Sequence, residues 1–288
     1  MPVARTPVLD IAYEERNPHA ADALVLLHGF PDDARTWDAV LACPEVARFR
    51  ALVPWLRGHG ETRFRAGALH TAETAALARD VVDFLDALGL ERVTLVGHDW
   101  GARAGYAAAV LAPERIERLI AIAVGYGTNA PSQVMSYEQA AAYWYQWFFA
   151  TPRGEAALRD DRRGLGRFLW RTWSPGWRFD DAEFARTAAA WENPAYVDVV
   201  LHSYRRRWGF APADPRYAAD DALLAPHPPV RVPTVVIHGA HDGATLLEAT
   251  EGKYAFFPAG YERIVVPNAG HFVQREEPAL VARAIARA

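Results

Sequence analysis

The feature that most constrains the fold is residues 93–106, which read VTLVGHDWGARAGY. An apolar, β-branched run ends in Gly97-His98-Asp99-Trp100-Gly101, and a segment of small residues follows. This layout is typical of the sharp strand-to-helix turn that usually reads G-x-S-x-G and exposes a nucleophile. Its central residue here is Asp99, so either the nucleophile is missing or the chain attacks with a carboxylate.

Short apolar segments alternate with helical patterns along most of the chain, which predicts an α/β fold. Such alternation favours a mostly parallel central sheet with helices on both faces. Strands are expected at Val8–Glu14, Leu24–His28, Arg50–Trp55, Val93–Gly97, Arg118–Val124, Thr234–His238 and Arg263–Pro267. Helices are expected at Thr71–Leu88, Asp99–Leu111, Leu246–Phe257 and Pro278–Ala288.

The alternation stops between about Asn129 and Pro229, where the pattern is helical and seven of the ten tryptophans lie. The segments TNAPS and APHPPVRVP bound this region, and proline-containing boundaries of this kind are typical of hinges. We therefore predict a core formed by residues 1–128 and 226–288, with a helical cap inserted at residues 129–225.

Composition limits the partners that the chain can have. A net charge of −4 over 288 residues gives no reason to expect a nucleic acid partner. No apolar run approaches the roughly 18 residues that span a bilayer, and residues 1–17 lack the apolar segment of a secretory signal. The single cysteine, Cys43, rules out an intramolecular disulfide. We expect a soluble, cytoplasmic protein with a small apolar or aromatic substrate and no membrane partner; the oligomeric state is left open.

Asp99 has a simpler interpretation as a helix N-cap, because aspartate is favoured between a strand and a helix. The other candidate nucleophiles argue against that interpretation. The chain has four serines, none of them in a G-x-S-x-G turn: Ser132, Ser136, Ser174 and Ser203. Cys43 lies in LACPEV, which is not such a turn either. If the turn is catalytic, Asp99 is the available nucleophile.

An acid and a histidine follow in the chain order of a catalytic triad. Asp242 comes just after the strand Thr234–His238, and His271 comes just after Arg263–Pro267. Catalytic groups of open α/β sheets gather at the carboxyl ends of strands. Each residue alone could be a turn former or a loop histidine, but their joint placement favours a triad with Asp99.

An oxyanion hole is expected at the end of an early strand, in His28-Gly29-Phe30-Pro31. Enzymes with the G-x-S-x-G turn take one backbone N–H from that position and one from the residue after the nucleophile. The backbone amides of Phe30 and Trp100 are therefore the predicted pair, with an ordinary strand-end turn as the alternative.

Taken together, these motifs resemble the α/β-hydrolase superfamily over nearly the whole chain, and within it the branch with an aspartate nucleophile. The matching motifs, in order, are HGFP, RGHG, GHDWGA, Gly239–Asp242 and Gly270–His271. This branch includes epoxide hydrolases, haloalkane dehalogenases and fluoroacetate dehalogenases. The resemblance implies the α/β-hydrolase fold and a reaction that needs no metal or cofactor. One departure is Trp55, where the family commonly has aspartate.

Residues of the cap differ between the enzyme classes of this branch. Epoxide hydrolases have two cap tyrosines that hydrogen-bond the epoxide oxygen, and the resemblance assigns these roles to Tyr145, in YQWFF, and Tyr204, in SYR. Fluoroacetate dehalogenases have His-Trp at the Tyr-Gln pair of YQWFF, and haloalkane dehalogenases usually have asparagine or glutamate in place of Phe30. Packing is the alternative role for both tyrosines, and Tyr143 is the obvious rival to Tyr145.

The chemistry of a carboxylate nucleophile and a tyrosine proton donor favours an epoxide substrate. A carboxylate that attacks an sp³ carbon forms a plain ester, whereas attack on an acyl group would form a reactive anhydride. An epoxide oxygen leaves as an alkoxide and needs a proton, which a tyrosine with a pKa near 10 can supply. We therefore expect an epoxide hydrolase in which Asp99 attacks, His271 activates water and Asp242 orients the imidazole. A dehalogenase with halide bound by the Trp100 indole and a non-catalytic ligand-binding relative are the alternatives.

Overall fold

The computed structural model describes residues 1–128 and 133–287. The strands are β1 (Val3–Arg5), β2 (Leu9–Arg16), β3 (Ala23–Leu27), β4 (Arg50–Pro54), β5 (Arg63–Phe64), β6 (Val93–His98), β7 (Ile116–Ile122), β8 (Thr234–Gly239) and β9 (Tyr261–Val266). The α-helices are α1 (Asp38–Leu41), α2 (Thr74–Ala87), α3 (Trp100–Leu111), α4 (Tyr137–Ala142), α5 (Trp144–Phe149), α6 (Pro152–Asp160), α7 (Arg162–Trp173), α8 (Asp181–Ala188), α9 (Tyr196–Arg207), α10 (Ala218–Leu224), α11 (Val273–Glu276) and α12 (Pro278–Ala286). Short 3₁₀ helices lie at Ala34–Trp37, Pro44–Val46, Pro113–Arg115, Ala189–Glu192, Pro215–Tyr217, Leu247–Thr250 and Tyr254–Phe256.

The strands form one mixed sheet in the order β1-β2-β4-β3-β6-β7-β8-β9, and β5 pairs with β2. From β4 to β9 each neighbouring pair is parallel. The pairs that involve β2 are antiparallel. Every residue of β6 and β8 is buried, as expected of parallel strands with helices on both faces. The predicted α/β fold with a mostly parallel sheet is confirmed.

All seven predicted strands are present, and no end differs from the prediction by more than two residues. The short strands β1 and β5 were not predicted. The C-terminal helix begins at Pro278 as predicted and ends at Ala286, whereas Ala288, its predicted end, lies outside the described residues.

The predicted helix over Leu246–Phe257 is wrong. The segment instead forms the 3₁₀ helices Leu247–Thr250 and Tyr254–Phe256. Gly252, between them, has a φ of +66°, and a residue in the left-handed region ends a helix. The composition of this segment favours a helix, but its backbone turns at the glycine.

Helices α4 to α10 follow β7 and precede β8, within a segment that we call the insert (residues 133–224). This agrees with the helical pattern of the sequence. The division of the chain into core and cap stays a prediction, and its boundary between residues 128 and 129 falls at the start of a gap in the described residues. In the ranges 1–128 and 133–287, no helix is long and apolar enough to cross a membrane.

A buried ion pair joins the loop after β4 to α2, and its arginine also contacts the insert. Arg57 donates from Nε and Nη2 to the two carboxylate oxygens of Asp80, both at 2.7 Å. The same guanidinium donates to the hydroxyl of Tyr217 in the insert at 3.1 Å. Arg57 and Asp80 are both buried, so the loss of either partner leaves a charge without compensation.

We expect Arg57→Gln to lower the free energy of unfolding by about 3–5 kcal/mol, because it leaves the Asp80 carboxylate buried and unpaired. Urea unfolding followed by circular dichroism measures this change. Arg287→Gln is the matched control, since Arg287 pairs with Glu262 on the surface and such pairs contribute about 0–1 kcal/mol. Equal losses in the two variants would contradict the prediction.

Candidate active site

The turn between β6 and α3 consists of a single residue, Asp99. Its backbone has φ 50° and ψ −109°, a conformation that residues with a side chain rarely adopt and that costs free energy. The carboxylate makes no capping hydrogen bond to α3, so the N-cap interpretation is not supported. A strained residue between strand and helix is the geometry of a nucleophile elbow.

Two glycines permit this tight turn. A Cβ atom on Gly97 would lie 2.2 Å from the carbonyl oxygen of Gly101, and one on Gly101 would lie 2.4 Å from the carbonyl oxygen of Leu27. Both distances are far inside van der Waals contact, so any side chain at either position would force the strand and helix apart.

The loop after β3 brings a backbone donor to Asp99. The amide N–H of Phe30 donates to Oδ1 of Asp99 at 3.0 Å. Of the two amides predicted to form the oxyanion hole, that of Phe30 therefore contacts the carboxylate directly. Trp100 is the first residue of α3, where helix amides lack intrahelical partners; its amide has no hydrogen bond to Asp99 among the described residues.

The loops after β8 and β9 bring Asp242 and His271 together beside Asp99. The Nδ1 of His271 lies 2.8 Å from Oδ2 of Asp242, and its Nε2 lies 4.0 Å from Oδ2 of Asp99. Both His271 and Asp242 are buried, and Nε2 has no hydrogen-bond partner. The three predicted triad residues thus converge, with the free imidazole nitrogen facing the carboxylate across a gap too long for a hydrogen bond.

The surroundings of Asp242 keep it ionised. Its Oδ1 accepts from the backbone amides of Ala244 at 2.8 Å and Thr245 at 2.9 Å, and Nε2 of His238 lies 3.2 Å from Oδ2. Burial alone would raise the pKa of Asp242, but the charge of His271 and the hydrogen bonds from His238 and His271 hold that pKa well below its usual value.

The carboxylates of Asp242 and Asp99 raise the pKa of His271. Burial disfavours the charged imidazole, yet the charge and hydrogen bond of Asp242, followed by the charge of Asp99, outweigh it and raise the pKa. Part of that increase depends on Asp99 being ionised. Loss of the Asp99 charge would therefore lower the pKa of His271 and favour the neutral imidazole, which is the form that can accept a proton.

Tyr145 and Tyr204 pack against each other near Asp99, although they lie on different helices of the insert. Their ring centroids are 5.2 Å apart, and both rings pack on Phe30, at 6.4 Å and 5.4 Å. Burial first, and then the neighbouring phenol and the Asp99 charge, raise the pKa of Tyr204. Burial and Asp99 likewise raise the pKa of Tyr145. Both phenols are therefore protonated at neutral pH.

Each phenol oxygen accepts one hydrogen bond from an N–H group. Nε2 of Gln146 donates to Tyr145 at 2.9 Å, and the indole Nε1 of Trp100 donates to Tyr204 at 3.2 Å. Neither hydroxyl donates to another described residue, so both O–H protons are available to an acceptor in the site.

Tyr143 lies further from this centre than Tyr145. Its ring contacts are with Tyr145 at 6.5 Å and Trp208 at 6.4 Å, and no ring contact joins it to Phe30 or Trp100 among the described residues. The geometry thus favours Tyr145 over Tyr143 as a partner of Tyr204.

Sequence reasoning missed two residues that hold the site together. Gln146 is oriented by two donors on its Oε1, Nη1 of Arg207 at 3.2 Å and Nε1 of Trp208 at 2.9 Å, which turns its amide N–H₂ toward Tyr145. Trp173 packs on Tyr145 at 4.9 Å and on His271 at 5.0 Å. Gln146 directly follows Tyr145 in the sequence, and that position could have identified it. No local sequence pattern marks Trp173.

The site carries no arrangement that would hold a metal ion. In the part of the chain that the structure describes, no group of three or more His, Cys, Asp or Glu side chains has the geometry to ligate one. The groups that converge on Asp99 are instead an imidazole, two phenols and a backbone amide, which can move protons and stabilise an oxyanion.

Comparison with known proteins gives concordant matches. The sequence pattern of the family described as alpha/beta hydrolase fold matches residues 22–278. The chain is similar to the crystal structure of a candidate epoxide hydrolase from Klebsiella pneumoniae, with a TM-score of 0.92 and 34% identity over 99% of this chain and 96% of that one. It is 28% identical to an epoxide hydrolase of Caballeronia sordidicola over 93% of this chain and 87% of the relative. It is 26% identical to epoxide hydrolase A of Mycobacterium tuberculosis over 94% and 91% of the two lengths.

Proposed function

The chain belongs to the α/β-hydrolase fold family, and from this premise we propose that it is an epoxide hydrolase that forms a vicinal diol through a covalent ester on Asp99. The observation that carries the proposal is the pair of buried phenols, Tyr145 and Tyr204, with their O–H protons free. The epoxide hydrolases among the curated relatives match over nearly the whole chain, which supports the same reaction.

In the first step the Asp99 carboxylate attacks an epoxide carbon from the elbow. A new C–O bond forms, the strained C–O bond of the ring breaks, and its electron pair stays on the former epoxide oxygen. That oxygen becomes an alkoxide and takes a proton from Tyr145 or Tyr204. A carboxylate is itself a nucleophile, so it needs no base to activate it, unlike a serine hydroxyl.

In the second step water attacks the carbonyl carbon of the ester on Asp99. The ester carries no negative charge, so one of the interactions that raise the pKa of His271 is lost. More of the imidazole is then neutral, and Nε2 of the neutral form can accept a proton from the water. Asp242 stabilises the imidazolium that forms. The Phe30 amide, which already donates to Asp99, would stabilise the oxyanion of the tetrahedral intermediate. When that intermediate collapses, the bond between the carbonyl carbon and the alkyl oxygen breaks, and the departing alkoxide takes the proton from the His271 imidazolium, which completes the diol. The re-formed Asp99 carboxyl group releases its proton, and the tyrosine phenolate left by the first step takes one up through solvent water.

The dehalogenase alternative depended on a free indole N–H at Trp100. That N–H donates to the Tyr204 hydroxyl at 3.2 Å, so a halide would have to displace this bond. A halide ion also leaves without a proton, so a dehalogenase would not need two buried phenols as proton donors. A protein that only binds a ligand would not need Asp99, Asp242 and His271 to lie together.

The side chains around the nucleophile favour an apolar or aromatic epoxide. Phe30, Trp100, Phe149 and Trp173 surround the two phenols and are buried, so polar substituents would find few partners among them. The small apolar substrate and the cytoplasmic location inferred from the sequence stay predictions.

The proposal is tested with a panel of aryl and alkyl epoxides and the corresponding haloalkanes, with diol and halide measured in parallel. We expect diol from at least one epoxide and no halide above background. Halide release without diol formation would favour the dehalogenase, and binding of the panel without turnover would favour a non-catalytic relative.

We expect a single turnover in ¹⁸O-labelled water, with enzyme in excess over epoxide, to place the label in the Asp99 carboxylate. Water attacks the ester carbonyl, so the oxygen that enters the diol comes from the protein. Mass spectrometry of the peptide that contains Asp99, and of the diol, measures both products. Label in the diol after the first turnover would mean that water attacks the epoxide directly.

A further inference from the structure

We propose that the protein has a second binding site, for an organic monocarboxylate, in a cavity between α3, α10 and the loop after β7. The cavity has a volume of about 270 Å³. Its polar wall includes Arg103, Arg206 and Thr128, and its apolar wall includes Tyr106, Tyr126 and Leu224. Asp99, His271, Tyr145 and Tyr204 are not among the residues that line it, so the cavity is distinct from the centre at which the epoxide would react.

The main reason to assign an anion here is the lack of partners for Arg103. Its Nη1 donates to Oγ1 of Thr128 at 3.2 Å, but it forms no ion pair with any described acidic residue. Its Nε atom is buried and has no hydrogen-bond partner. The buried Nε is out of reach of a ligand in the cavity, which would instead pair with the terminal Nη groups of Arg103, a cation without an acidic partner among the described residues.

Arg206 adds a second guanidinium to the same wall. Its Nη2 lies 3.3 Å from Oδ2 of Asp221, whereas its Nε is buried and unpartnered, like that of Arg103. Two guanidinium groups and one carboxylate leave the lining with an excess of positive charge, which one singly charged anion would balance.

A third arginine, Arg207, does not line the cavity but lies close enough to Arg103 for the two charges to interact. Arg207 hydrogen-bonds Gln146 and lies 5.0 Å above the Tyr204 ring, and it too has no acidic partner among the described residues. Burial, followed by the charge of Arg103, lowers the pKa of Arg207. The two arginines therefore repel each other, and an anion near Arg103 would relieve that repulsion.

The cavity favours a carboxylate with an organic tail over inorganic phosphate. A guanidinium matches a carboxylate with two parallel N–H···O bonds, and the aromatic and aliphatic wall suits a ring or short chain. A second negative charge on phosphate would face the Asp221 carboxylate. The volume is close to the lower end of the range for small-molecule sites, so a small aryl acid fits best.

Benzoate is the probe, and benzamide is its neutral isostere. We expect isothermal titration calorimetry to detect benzoate binding to the wild-type protein and at least about tenfold weaker binding of benzamide. Arg103→Gln and Arg206→Gln should each weaken benzoate binding by about tenfold or more, since each removes a charge-assisted donor. Arg287→Gln, on the surface and remote in sequence from the cavity residues, is the matched control and should bind benzoate as the wild type does.

Asp221→Asn gives a result that structural damage cannot imitate. It removes the negative charge from the cavity wall and should tighten benzoate binding. The proposal fails if the protein does not bind benzoate, if benzamide binds equally well, or if both arginine variants bind benzoate normally. It also fails if the Tyr145→Phe, Tyr204→Phe double variant loses benzoate, because the acid would then occupy the reacting centre. None of these outcomes depends on epoxide turnover.

Discussion

Replacement of both Tyr145 and Tyr204 by phenylalanine is expected to slow the alkylation of Asp99 by about four to six orders of magnitude. The removal of one donor to a developing oxyanion typically costs about a hundredfold to a thousandfold in rate, and here both donors to the epoxide oxygen are lost. Each single variant should lose about a hundredfold to a thousandfold or less, because the remaining phenol can still supply a proton. Single-turnover kinetics with an aryl epoxide would measure the alkylation step.

Tyr143→Phe is the matched control for this prediction. Tyr143 is buried close to Tyr145 but packs toward Trp208, so its hydroxyl should have little effect on ring opening. All variants should unfold at about the wild-type temperature, since each single variant loses one hydroxyl and the double variant loses two. We would abandon the epoxide assignment if the double variant opened epoxides at the wild-type rate, or if Tyr143→Phe were the damaging change.

His271→Gln is expected to stop the reaction after one ester has formed. The attack of Asp99 requires no base, whereas the hydrolysis of the ester requires one, and the loss of a general base typically costs about a hundredfold to ten-thousandfold. The variant should therefore gain the mass of one substrate molecule and keep it. Intact-mass spectrometry after incubation with epoxide would measure that gain.

His241→Gln is the matched control, because His241 is an exposed histidine in the loop that carries Asp242. It should turn over substrate at close to the wild-type rate and accumulate no ester. A His271→Gln protein that binds epoxide but never becomes alkylated would show that His271 serves the first step.

Local sequence signals were sufficient for the elements that carry the triad. Asp99, Asp242 and His271 each follow an apolar strand, and the carboxyl ends of neighbouring parallel strands meet at one edge of a sheet. Glycines at positions 97 and 101 mark the sharp turn in the sequence alone. The roles of these residues in catalysis stay predictions until the variants are measured.

Contacts between distant segments could not be read in the same way. Trp173 stands 98 positions before His271 in the chain and packs on its ring at 5.0 Å, but nothing distinguishes it from the other tryptophans of the insert. The helix predicted over Leu246–Phe257 is absent for a local reason. The chain turns at Gly252, although the residues around it favour a helix. Tyr145 and Tyr204 were identified through family resemblance, since no periodicity places two helices side by side.

The placement of the insert between β7 and β8 has a consequence for the newly synthesised chain. β7 pairs with β6 on one edge and with β8 on the other, but β8 leaves the ribosome only after the whole insert. At typical translation rates of about 5–20 residues per second, one edge of β7 stays unpaired for roughly 5–20 seconds until β8 has been synthesised. An unpaired apolar strand is a template for pairing with other chains, so incomplete chains that end within the insert carry an aggregation hazard that the finished protein does not.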